Sequence, residues 1–182
     1  MAAAMHRYVA LLRGINVGAA NRITMADLRA VFESLGHTDV KTLLQSGNVV
    51  FSSARVLGPS AVIALEDELA NSSGVRCRIL VLDAESFTAV ADANPLLEVA
   101  DDPSLMVITF LETSPPASLS VPPDLDPEQL SVGTNAIYQW CPLGVSKSKV
   151  PQSFFRALGP AATARNLRTV DKIRALLAPA AD

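Results

Sequence analysis

Along the chain, apolar positions recur first with one period and then with another, and each change of period marks an element. His6–Arg13 (HRYVALLR) becomes steadily more apolar and reads as a strand that is buried as it proceeds. Thr24–Leu35 shifts to helical spacing, with Leu28, Val31, Phe32 and Leu35 on one face. Thr24 is placed to cap this helix, Asp27 completes a capping-box spacing, and Gly36 ends it. Val40–Ser52 reads as two short strands around Gln45-Ser46-Gly47-Asn48, where Gly and Asn suit the positive φ angles of a tight hairpin. Pro59–Ala70 is again helical, with proline in its first turn. Arg76–Leu82 is a strand, and Ala84–Ala93 a helix stopped by Asn94-Pro95.

Strand, helix, hairpin, helix, strand is the βαββαβ order of a ferredoxin-like unit. After a DDP linker the order begins again. Leu105–Leu111 is a strand, and a Pro/Ser-rich loop leads to a short helix at DPEQL, residues 126–130. Ser131–Gly133 and Ala136–Trp140 read as strands, and Gln152–Leu158 and Thr169–Leu177 as helices. The expected fold is therefore α+β: two ferredoxin-like subdomains packed together, the second incomplete, covering residues 1–95 and 101–182.

Composition narrows the class. With 182 residues, 49% of them hydrophobic and 18% charged, the chain has the material for a core and is not disordered. No apolar run is long enough to span a membrane. The opening MAAAMHRYVALLRG lacks a signal-peptide cleavage site, so a cytoplasmic protein is expected. Cys77 and Cys141 read as reduced packing thiols, and with His6 and His37 they form no metal-ligand spacing; neither a metal nor another cofactor is expected.

The net charge is only −3, yet its signs are sorted. Asp83–Leu130 holds ten acids and no Lys or Arg, whereas Met1–Ala26 and Cys141–Val170 hold bases and no acid. The two basic segments would build a positive region on an acidic body if they met; separate solvated faces are the plain alternative.

Within the first basic segment, RGINVGAANR lies between strand and helix. It has neither the spacing of a dinucleotide fingerprint nor a P-loop ending. Arg13, Asn16, Asn21 and Arg22 supply donors, and Gly14 and Gly18 let backbone N–H groups turn inward. Guanidinium forks match carboxylate or phosphate oxygens, and the following helix adds its positive end. A loop bonded only to its own carbonyls explains the same residues. Gln45, Ser46 and Asn48 offer further polar groups, or serve only the turn. On ferredoxin-like geometry this turn and the first loop are expected at opposite ends of their strands. A site lined by both must then run along the sheet or draw on a second subunit, which makes a homodimer one arrangement to consider.

Lys147, Ser148 and Lys149 alternate cation and hydroxyl, and Arg165-Asn166 precedes a helix. No nucleophile–base pair is visible, so catalytic residues are unassigned; the Glu66-Asp67-Glu68 triplet is most simply a solvated face.

RYVALLRGINVGAANRITMADLRAVFESLG, TLLQSGNVVFSS, GVSKSKVPQSFFRALG and TARNLRTVDKI together resemble the mainly bacterial domain of unknown function 1697 family. The resemblance implies two ferredoxin-like subdomains and no established activity. This chain departs from the family pattern at Ala19, where a second glycine is usual, and at Leu167 and Arg168, where Trp and Asn are usual.

Three functions remain. One is binding of a small anionic ligand, which requires Arg13 and Arg165 to be shielded and to converge. One is a structural role, in which the motifs stitch the halves together through main-chain carbonyls. A single-stranded nucleic-acid binder is disfavoured by the acidic balance and by the absence of an RNA-recognition aromatic signature.

Overall fold

The computed structural model describes residues 5–19 and 21–178. Its contacts separate two compact units: the described residues up to Phe87 together with those from Ile173 onward, and Thr88–Lys172. The separation falls within the helix that follows the first unit's last strand.

The first unit contains β1 (His6–Leu12), α1 (Met25–Ser34), β2 (Thr38–Leu43), β3 (Asn48–Ser53), α2 (Pro59–Ser73) and β4 (Ile79–Asp83). Its sheet has the order β2-β3-β1-β4, every neighbour antiparallel. This is the ferredoxin-like arrangement. Tyr8, Ala10 and Leu12 of β1 and Val49 and Phe51 of β3 project to one face, where Leu28, Val31 and Phe32 of α1 and Leu65 and Leu69 of α2 complete the core. Each large side chain buried there contributes about 1.5–3 kcal/mol. Val9, Leu11 and Val50, on the other face, are buried too. Burial on both faces explains why β1 reads as a continuous apolar run and not as an alternation.

Thr24 caps α1 as expected: its hydroxyl oxygen accepts from the Asp27 backbone N–H at 3.0 Å and donates to Asp27 Oδ2 at 2.7 Å. Gly36 adopts a φ of 82° just beyond the helix end.

Two expectations are corrected here. Because β3 runs antiparallel to β1, with Leu11 opposite Asn48, the end of β1 meets the start of β3. The β1–α1 loop and the hairpin turn therefore lie at the same end of the sheet, and the Leu12 N–H donates to Gly47 O at 2.9 Å. The positive φ angles of the turn belong to Leu44 (60°) and Gly47 (81°), and Asn48 is an ordinary strand residue.

The second unit holds β5 (Met106–Phe110), β6 (Gln129–Val132), β7 (Ala136–Trp140), α4 (Gln152–Arg156) and β8 (Thr163–Asn166). The end of α3 (Ala84–Asp92) leads in and the start of α5 (Leu167–Leu177) leads out. Its sheet order, β6-β7-β5-β8, repeats the first unit strand for strand. Where the first unit has α1, a long loop connects β5 to β6. The short helix expected at DPEQL does not form: Gln129–Val132 pairs with β7 instead, and the Asp126–Pro127 bond before it is cis. Strand pairing outweighs a helix preference that only three residues supply. Leu125 from the loop and Phe154 from α4 join Leu111, Ile137, Val150 and Leu158 in a core cluster.

At the far end of α5, the Arg7 guanidinium donates to Leu176 O (2.8 Å) and Leu177 O (3.1 Å), satisfying last-turn carbonyls that the helix leaves open. No helix among the described residues is long and apolar enough to cross a membrane.

Candidate functional site

The β1–α1 loop is held by Asn16. At a φ of 55°, its Nδ2 donates to Ile23 O (3.1 Å) and Gln45 O (2.9 Å), while its Oδ1 accepts from the Ile23 N–H (2.9 Å). Asn21, also left-handed at 51°, closes the loop through its backbone: its carbonyl accepts from the Asn16 N–H at 2.8 Å. Its Nδ2 reaches Gly14 O at 3.5 Å. In the turn, Asn48 is buried and donates to Leu43 O (2.8 Å) and Ser46 Oγ (3.2 Å). The three asparagines thus bond within the loop and the hairpin turn of their own unit, and these bonds do not reach the other half.

Arg22 differs. Its Nε donates to Gly18 O at 3.0 Å, and its two terminal nitrogens make no hydrogen bond to a described residue. Arg22 lines an open cleft of about 720 Å³ in the first unit, together with Asn16, Thr24 and Gln45. Met25, Asp27, Ala30, Val31 and Ser34 of α1 form one wall of the cleft. Glu68, Ser72 and Ser73 of α2 form another, where the two helices pack side by side. The volume lies within the range of small-molecule sites. Arg13, at the loop's start, is exposed and does not line this cleft; the shielding expected of it is not found. Ser46 is exposed on the turn.

The acidic triplet on α2 is not one solvated face. Successive helical residues turn by 100°, so three in a row cannot share a face. Glu66 accepts from Arg78 Nη1 (3.0 Å) and the Ile79 N–H (2.9 Å), and Glu68 lines the cleft.

In the second unit, the Lys147–Lys149 segment surrounds an acid that nothing in the sequence separates from solvated ones. Glu128 is buried, and its carboxylate accepts from Ser148 Oγ (2.7 Å), the Lys149 N–H (2.7 Å) and Gln139 Nε2, with Cys141 Sγ at 3.8 Å. Burial alone raises its pKa, but the Ser148, Gln139, Lys149 and Cys141 bonds together hold it below the ordinary glutamate value. Ser148 is fully engaged, accepting also from Gln139 Nε2 (2.9 Å) and the Val150 N–H (3.1 Å). Lys149 Nζ donates to Asp126 O at 2.6 Å, while Lys147 is exposed on a 3₁₀ turn. The only sequence signal for Glu128 is an acid directly before a strand.

Asn166 caps α5, its Oδ1 accepting from the Thr169 N–H at 2.9 Å. Arg165 is half-buried and donates to Ala164 O at 2.8 Å; desolvation brings its pKa down to about 10. At two of the three departures from the family pattern, Leu167 opens α5, and Arg168 pairs with Asp102 at 3.4 Å on the surface.

Burial pushes the Cys77 thiol up to about 11 and the Cys141 thiol up to about 12, with Glu66 and Glu128 respectively adding to the effect. His37 packs against Phe32 and Phe51, and burial lowers its pKa. No group of three or more His, Cys, Asp or Glu among the described residues is arranged to hold a metal ion.

No curated protein matches the sequence. Among solved structures, the conserved bacterial protein SP0830 from Streptococcus pneumoniae is similar, with 28% identity and a TM-score of 0.69. The likeness covers 96% of this chain and 100% of that one. The family model for proteins of unknown function, DUF1697, matches residues 5–138, which span the whole βαββαβ unit with its cleft and the second unit as far as the middle of β7. The chain belongs to that family.

Proposed function

We propose that the first unit binds a small ligand bearing a carboxylate or phosphate, in the cleft between its motif loop and its two helices. The observation that carries this reading is Arg22. Its Nε is fixed by Gly18, while its two terminal nitrogens, a pair that can match two acid oxygens, keep no hydrogen-bond partner among the described residues. Asn16 and Gln45 then have a second role, because their bond ties the loop to the turn and holds the cleft's rim in one shape. Such preorganisation lowers the cost of binding.

The structural reading is favoured for the second unit. There Ser148, Lys149 and Arg165 spend donors on Glu128 or on main-chain carbonyls, and Asn166 caps a helix. The motif residues thus divide: Arg22 with Asn16 and Gln45 serve a ligand, and the 147–149 and 165–166 segments serve the fold.

A thermal-shift screen of the wild type and Arg22→Gln with sugar phosphates, nucleotides and short carboxylates tests this. A ligand at about a hundred times its dissociation constant adds about 2.7 kcal/mol. The expected result is a shift of several degrees in the wild type that Arg22→Gln abolishes. An equal shift in both proteins removes Arg22 from the site.

A further inference from the structure

We infer that the cleft takes a zwitterion, an ammonium group joined to a carboxylate or phosphate, with its anionic end at Arg22 and its ammonium at Glu68. This rests on the reading of the cleft as an anion site and adds the second half of the ligand.

Arg22 and Glu68 line the same cavity from different elements, the motif loop and α2. They form no ion pair with each other, and the half-buried Glu68 carboxylate has no hydrogen-bond or ionic partner among the described residues. Asp27 also lines the cleft, but one of its oxygens already accepts from Thr24. With one guanidinium against two carboxylates, a simple anion at Arg22 meets net repulsion from the rest of the lining. An ammonium at Glu68 turns that repulsion into attraction.

The hydroxyls beside Glu68 select in the same direction. Ser72 Oγ donates its proton to Glu68 O (2.7 Å) and Ser73 Oγ to Leu69 O (2.6 Å). With their single protons committed to the helix, both oxygens offer only lone pairs, and Ser73 already uses one for the Val75 N–H at 3.2 Å. This wall therefore accepts and does not donate. It is matched to a group rich in N–H donors, and mismatched to a second anion.

The test is calorimetric titration of the wild type, Arg22→Gln and Glu68→Gln with three sets of probes. The first holds zwitterions: the common amino acids, alanylalanine and O-phosphoethanolamine. The second holds the N-acetylated counterparts, which keep the anion and lose the ammonium. The third holds acetate and inorganic phosphate. The expected result is a zwitterion that binds the wild type at least about tenfold more tightly than its N-acetyl form, a preference lost in Glu68→Gln. Whether the amino-acid or the phosphoethanolamine arm responds identifies the anionic group. If acetylated or simple anions bind as well as zwitterions, depend on Arg22 and ignore Glu68→Gln, the zwitterion inference fails and the anion site survives. If no probe binds, both fail. Neither substitution removes a contact to the core, so circular dichroism and melting of the two variants should match the wild type.

Discussion

Asn16 Nδ2 donates to Gln45 O across 2.9 Å, joining the loop after the first strand to the turn of the following hairpin. The bond exists because β1 and β3 are antiparallel, which brings two stretches 29 residues apart to one end of the sheet. Asn suits the position twice over: its amide both donates and accepts, and it tolerates the left-handed φ of 55° better than most residues.

Asn16→Ala should therefore cost about 2–3 kcal/mol. It leaves the Ile23 N–H and two carbonyls without their partner and puts alanine in a left-handed conformation. Thermal unfolding should show a fall of roughly 4–12 °C for a chain of this size. A change of less than a degree would mean that the loop does not depend on this residue.

Gly47→Ala tests the packing of the same turn. An added Cβ would stand 2.6 Å from Ile15 Cδ1 and 2.8 Å from Leu12 Cβ, at a φ of 81°. The Ile15 side-chain tip can shift; Leu12 Cβ is fixed to a central strand and cannot. Destabilisation of about 2–4 kcal/mol is expected, measured by urea denaturation.

Glu128 predicts a pH signature. Its pKa in the folded protein lies below the ordinary glutamate value. Its stabilisation is thus fully present above the unfolded-state pKa and is lost as pH falls through the folded-state value. Glu128→Gln should be less stable than the wild type at pH 7, with the gap narrowing under acid. Parallel stability curves for the two proteins between pH 7 and pH 3 would show that the carboxylate's charge is immaterial.

Neither thiol should act as a nucleophile at neutral pH. With Cys77 near 11 and Cys141 near 12, the thiolate fraction at pH 7 is about one in 10⁴ or less. Alkylation by iodoacetamide should be slow in the native protein and fast in urea. Rapid modification of half-buried Cys77 in the folded state would contradict the environment described for it.

The elements that packing determines were legible. Leu28, Val31 and Phe32 fall on one face of α1 because 3.6-residue spacing is written into the chain, and Thr24 caps where its oxygen can reach the Asp27 N–H. The same reasoning failed at residues 126–130, where a partner strand overrides local preference. The site was harder. Arg13 and Arg22 look alike as letters, yet Arg22 lines the cleft and Arg13 does not, a difference created by how the loop closes on itself. Glu68 and Glu128 were indistinguishable from solvated acids, since their roles arise from residues that only folding brings close: α1 for the one, Gln139 and Ser148 for the other.

The two sheets share one strand order, but only the first unit keeps a helix between its first two strands. The cleft's wall is that helix, so the loop that replaces it after β5 removes the means of building a second such cavity. On the proposed reading the chain titrates with a stoichiometry of one ligand, and its two halves are not interchangeable: one keeps an open cleft beside its first helix, while in the other a loop crosses the corresponding span.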